Sequence, residues 1–98
     1  GIGLEAHVEM EMLDANNRLR LIDGNLTIRK DQQFGKYVSL IPMTTEVRNV
    51  TLTGFKYNLA SYTMGGFTSL GVSNEIVEEE ATISFDEGVM GVVESKDD

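Results

Sequence analysis

Leu4-Glu5-Ala6-His7-Val8-Glu9-Met10-Glu11-Met12 decides the fold class. Its even positions are Leu, Ala, Val, Met and Met, and its odd positions are Glu, His, Glu and Glu. Side chains alternate between the two faces of a strand, so the stretch reads as one apolar face against one charged face. On a helix the same residues give no apolar stripe. The reading is a half-buried antiparallel strand from Leu4 to Leu13, with Leu4, Ala6, Val8, Met10 and Met12 directed at a core.

Outward from that strand the pattern repeats. Asp14-Ala15-Asn16-Asn17 is a polar turn, because Asp and Asn bond their own backbone. Arg18-Leu19-Arg20-Leu21-Ile22 alternates again, with the two leucines expected on the buried face. Asp23-Gly24 signals a two-residue hairpin, returning through Asn25 to Arg29 with Leu26 and Ile28 inward. After a turn at Lys30-Asp31-Gln32-Gln33, Phe34 to Ile41 reads as a strand with a bulge at Gly35, and Pro42 ends it or places it on an edge. Glu46 to Leu59 holds two strand-like halves. Val50 and Leu52 share a face in the first, Phe55, Tyr57 and Leu59 in the second, and a bulge or sheet crossing is expected at Thr53-Gly54. Ser61 to Asn74 reads as a glycine-spaced loop. Val77 to Phe85 alternates with Val77, Ala81, Ile83 and Phe85 on one side, and Val89 to Val93 makes the closing strand.

Seven or eight short strands bounded by Asn, Asp or Gly, with no helical periodicity, predict an all-β fold. The expected architecture is an immunoglobulin/fibronectin-like antiparallel β-sandwich of about seven strands, with a β-barrel as runner-up. Ninety-eight residues suit one domain over 1–98, with 1–3 and 95–98 as flexible ends. Gly1-Ile2-Gly3 carries no initiator methionine and reads as a mature or trimmed product. No apolar run reaches the roughly 20 residues that span a bilayer.

The formal net charge of −8 opposes binding to nucleic acid or anionic lipid. Seven of the eight basic residues lie between Arg18 and Lys56, and Glu75 to Asp98 holds nine acids. The absence of cysteine excludes disulfides and thiolate metal sites.

Candidate chemistry is sparse. His7, the only histidine, shares its row with Glu5, Glu9 and Glu11, a pairing able to bind metal or move a proton but lacking converging ligands. Glu78-Glu79-Glu80 and Asp86-Glu87 read as solvated carboxylates rather than an acid–base pair or a calcium loop. No serine sits in a nucleophile elbow. Gly65, Gly66 and Gly71 lack the strand–loop–helix setting of a phosphate loop. Tyr57, Tyr62 and Phe67 are candidates for a ligand groove, though such aromatics also serve a core or rim. Asn25-Leu26-Thr27 and Asn49-Val50-Thr51 match the N-glycosylation triplet. No catalytic, cofactor-binding or metal-binding residue is assigned.

From Glu5 to Leu59 the order of features resembles the late-embryogenesis-abundant group 2 domain, also called the water-stress and hypersensitive-response domain. The features are the opening strand, the Asn16-Asn17 turn, Leu19 to Ile28, then Gly35-Lys36-Tyr37-Val38-Ser39-Leu40, then Thr44 to Leu52. The resemblance implies a non-enzymatic sandwich, exported or surface-held, acting as an interaction or stress-protective module. No cofactor is expected, the partner is an unidentified protein or surface, and the oligomeric state stays open. A second resemblance, through Val50 to Phe55, Val77 to Glu80 and Ile83 to Asp86, is to the C-terminal part of phage tail-tube proteins. A hydrolase using acidic residues stands third.

Overall fold

A computed structural model describes residues 8–65 and 74–96, with the backbone alone for 8–10. The described residues form nine strands and one 3₁₀ turn: β1 (Val8–Leu13), β2 (Asn17–Ile22), β3 (Leu26–Arg29), the turn Lys30–Gln32, β4 (Tyr37–Pro42), β5 (Glu46–Thr53), β6 (Leu59–Gly65), β7 (Asn74–Glu75), β8 (Glu80–Ser84) and β9 (Met90–Ser95). They make two antiparallel sheets, ordered β1-β2-β9-β4-β7 and β3-β8-β5-β6, which do not close into a barrel. Both sheets contribute to one core, including Ile22, Leu40, Met90 and Val92 from the first and Ile28, Val50, Leu52 and Ile83 from the second.

The alternation in Leu26 to Arg29 and in Ala81 to Phe85 is seen as expected, with Leu26, Ile28, Ala81, Ile83 and Phe85 buried. Elsewhere the facing differs. In β2 the buried residues are Arg20 and Ile22, while Leu19 and Leu21 stay partly exposed on the outer face. A partner for the Arg20 guanidinium, described below, reverses the parity that two leucines alone suggest. Met12 is 57% exposed and Leu13 61%: Met12 pairs with Leu19 and so lies on the outer face, and β1 is at the edge of its sheet among the described residues. The side chains from Leu4 to Met10 lie outside the described residues, so the proposed core anchor extends to no residue observed as buried. Val77 is exposed as well. It precedes β8 and carries none of that strand's buried row.

Asp23-Gly24 is not a hairpin. β2 and β3 lie in different sheets, so this turn carries the chain across the core. Gly35 is no bulge either: it precedes β4, whose pairing with β9 runs without a register shift, and a Cβ there would collide with the Ser95 carbonyl group. Pro42 ends β4 on its missing donor, yet β4 is internal and Pro42 is buried opposite Met90. Ser95 and Lys96 are tied in, through Ser95 Oγ–Asn17 Oδ1 at 2.7 Å and Lys96 N–H to the Asn16 carbonyl at 2.9 Å.

The Asp14 turn forms as expected. Its carboxylate accepts the backbone N–H of Asn16 at 2.8 Å and of Asn17 at 2.7 Å, and these bonds hold it below its ordinary value of 3.8. A carboxylate with a depressed folded pKa adds stability above its unfolded value and loses it as pH falls through the folded one. Asp14→Ala is therefore expected to destabilise above pH 3.8, with the gap to wild type closing under more acidic conditions. Urea midpoints of both proteins from roughly pH 2 to 6 check this.

Candidate functional site

The interior face of the five-stranded sheet changes character along its length. One row, Ile22–Met90–Pro42, is buried and non-ionic. The middle row is Arg20–Val92–Leu40, and the last is Arg18–Glu94–Val38–Asn74. Polar groups thus collect at one end of the molecule. Glu94 and Asn74 are two strands apart there, roughly 10 Å from the strand spacing.

Asn74 is 7% exposed and makes three hydrogen bonds through its side chain. Its Nδ2 donates to the Tyr57 carbonyl at 2.8 Å, and its Oδ1 accepts the N–H of Tyr57 and of Glu75, each at 3.0 Å. One side chain thereby clamps both backbone groups of Tyr57. The turn Gly54–Asn58 is held from within too, since Asn58 Oδ1 accepts the Phe55 N–H at 3.0 Å. The backbone joins in through Lys56 N–H to the Glu75 carbonyl at 2.8 Å and Val77 N–H to the Gly54 carbonyl at 3.0 Å. Gly54 has φ +80, a conformation that suits glycine. Phe55 is buried beneath the turn, whereas Tyr57 is 51% exposed above it. Lys56 Nζ stands 5.5 Å from the Tyr57 ring centroid, within cation–π range. A fixed backbone thus presents one aromatic face that already receives a cation.

Across the same end runs a buried ion pair. Glu94 is 0% exposed; its Oε2 accepts Arg20 Nη2 at 2.8 Å and its Oε1 accepts the Phe34 N–H at 3.3 Å. Burial pushes the Arg20 guanidinium below its ordinary value and the Glu94 carboxylate opposes that shift, but arginine starts so far above neutrality that it stays charged.

The residues singled out in the sequence do not converge. His7, Glu5 and Phe67 lie outside the described residues, as does the side chain of Glu9, and Glu11 is bound to Arg18 at 2.8 Å. Glu78 and Glu79 are exposed, and Glu80 lies 3.6 Å from Arg29. Asp86 accepts from Asn49 Nδ2 at 2.9 Å, and Glu87 sits 3.9 Å from Arg48. Tyr57 and Tyr62 are both exposed but sit on different elements, and Tyr57 does not share the buried face of Phe55. Gly65 ends β6, and Gly66 and Gly71 are outside the described residues. Among the described residues no group of three His, Cys, Asp or Glu is placed to hold a metal. Sequence reasoning missed Asn74 and the Arg20–Glu94 pair, and it marked Thr53-Gly54 as a bulge or sheet crossing without reading the turn that Gly54 opens. The signal for the turn was Gly54-Phe55-Lys56-Tyr57-Asn58, a glycine and an asparagine enclosing three residues inside an otherwise strand-like run.

Residues 25–90 match the family model described as thiamin pyrophosphokinase, vitamin B1 binding domain. The thiamine pyrophosphokinase of Bacillus subtilis is 30% identical over 96 residues, covering 97% of this chain and 44% of that protein. The crystal structure of that Bacillus subtilis enzyme superposes with a TM-score of 0.82 at 31% identity, over 89% of this chain and 41% of its own. The Geobacillus thermodenitrificans enzyme gives 0.77 at 34% identity, over 89% and 40%. The chain therefore spans less than half the length of these relatives. The matches overturn the late-embryogenesis and phage tail-tube resemblances, whose motifs are ordinary strand and turn residues of any antiparallel fold. The non-enzymatic module, the protective role, the acid hydrolase and the extracytoplasmic location rested on those likenesses or on isolated acidic residues, and fall with them.

Proposed function

Because the chain belongs to the thiamin pyrophosphokinase vitamin B1 binding domain family, we propose that it serves as the vitamin-binding part of a thiamine pyrophosphokinase, a catalyst that transfers a pyrophosphoryl group to thiamine. The observation that carries this reading is the clamped turn Gly54–Asn58, which lies within the matched residues and offers the Tyr57 ring to solvent. Thiamine joins an aminopyrimidine to a cationic thiazolium. A flat cation is suited to an exposed aromatic ring such as that of Tyr57, and a chain of net charge −8 draws a cation toward itself. The same charge disfavours nucleic acid as a partner. The relatives are more than twice as long as this chain, so pyrophosphoryl transfer is proposed as the activity this part serves, with binding as its own task.

Calorimetric titration of thiamine into the chain tests the assignment. Saturable binding is expected, weakened about 3- to 30-fold by Tyr57→Ala, the span of one desolvated cation–aromatic contact. Absence of saturable binding, or equal affinity in the variant, overturns it.

A further inference from the structure

Asn74 and Tyr57 belong to different parts of the fold. The turn Gly54–Asn58 leaves β5, in the four-stranded sheet. Asn74 stands on β7, at the edge of the five-stranded sheet among the described residues, paired with Val38 of β4. Backbone contacts join the two: Phe55 bridges Ile76, and the Lys56 N–H reaches the Glu75 carbonyl at 2.8 Å. Neither of these involves a backbone group of Tyr57.

The Asn74 amide does. It accepts the Tyr57 N–H at 3.0 Å and donates to the Tyr57 carbonyl at 2.8 Å, so one buried side chain restrains both φ and ψ of the residue that carries the exposed ring. The choice of residue matters. Oδ1 uses its two lone pairs on the Tyr57 and Glu75 N–H groups, and Nδ2 supplies the donor that the Tyr57 carbonyl takes. An aspartate of the same shape keeps the two acceptor bonds but turns an anionic oxygen toward a carbonyl oxygen. An alanine leaves three backbone groups without this partner.

We propose that Asn74 is a positioning residue for vitamin binding, acting through Tyr57: its amide fixes the aromatic ring against which the cation rests. The proposal builds on the vitamin-binding reading above and adds the group that sets the ring in place. A ring already held in position binds without the cost of being ordered on contact. Loss of the clamp therefore lowers affinity although Asn74 itself meets no ligand atom. Its effect is bounded by that of removing the ring altogether.

Two measurements on the 98-residue chain test it. Amide hydrogen exchange followed by NMR reads the clamp without any ligand. In Asn74→Ala the Tyr57 N–H is expected to exchange about 3- to 10-fold faster, the worth of one hydrogen bond, with the Lys56 N–H as internal comparison. Thiamine calorimetry reads the consequence. Asn74→Asp, its folding checked by circular dichroism, is expected to weaken binding about 3- to 10-fold and to have no further effect in a Tyr57→Ala background. A general loss of structure would weaken binding in both backgrounds. The inference is overturned by unchanged Tyr57 exchange in Asn74→Ala, by wild-type thiamine affinity in Asn74→Asp, or by an equal fold-loss in the two backgrounds. Absence of thiamine binding by the wild-type chain, or a silent Tyr57→Ala, instead removes the vitamin-binding reading and the inference with it, whatever the exchange shows.

Discussion

Glu94→Leu is expected to lower the unfolding free energy by about 3–5 kcal/mol, the cost of leaving a buried charge without its partner. The substitution strands the Arg20 guanidinium beneath the sheet and also removes the acceptor of the Phe34 N–H. The matching double variant, Arg20→Met with Glu94→Leu, is expected to recover most of that loss, because two apolar side chains need no solvation in the interior. Urea denaturation of the single and double variants measures both numbers. Equal stability of Glu94→Leu and wild type would mean that the pair is solvated and not part of the core. The asymmetry between single and double replacement separates the worth of the pair from the penalty of breaking it.

Gly54→Ala is expected to cost about 2–5 kcal/mol and to weaken thiamine binding with it. Two effects add: an L-residue at φ +80 is strained by roughly 1–2 kcal/mol, and the new Cβ meets the Glu80 carbonyl oxygen and lies 2.9 Å from Ala81 Cα. Those neighbours belong to the β8 backbone, so relief requires the strand to move rather than a side chain to swing aside. Gly91→Ala is the control. Its Cβ would find the Ile41 carbonyl at 3.4 Å, an ordinary contact, and its effect is expected to stay within about 1 kcal/mol. Thermal and urea unfolding compare the two, and a mild Gly54→Ala would show that the turn is not built on that backbone conformation.

The all-β class was legible because period-2 patterning is a local property. Leu26 and Ile28, or Ala81, Ile83 and Phe85, need only their own strand to declare a face. The facing of β2 was not. Arg18-Leu19-Arg20-Leu21-Ile22 offers two parities, and the choice is made by Glu94, 74 residues away. Sheet membership was hidden for a related reason: Asp23-Gly24 is as compatible with crossing the core as with a hairpin, and only the partners of β3 decide. At the site, Asn74 carries meaning through Tyr57, its partner 17 residues earlier. Local pattern therefore drew attention to the Glu5-His7-Glu9-Glu11 row, where charges alternate visibly, and passed over two buried polar contacts that only tertiary structure brings together.

The position of β9 has a consequence for how the chain acquires its structure. The last strand among the described residues is the central strand of its sheet, pairing β2 on one side and β4 on the other. Until Met90 to Ser95 has been synthesised, β2 and β4 have nothing between them, and each leaves a row of N–H and C=O groups open to foreign strands. A nascent chain emerging from the ribosome cannot assemble this sheet stepwise. Its folding is a late, long-range event of the slow kind, and the interval before it is when the polypeptide is most exposed to aggregation and most in need of a chaperone.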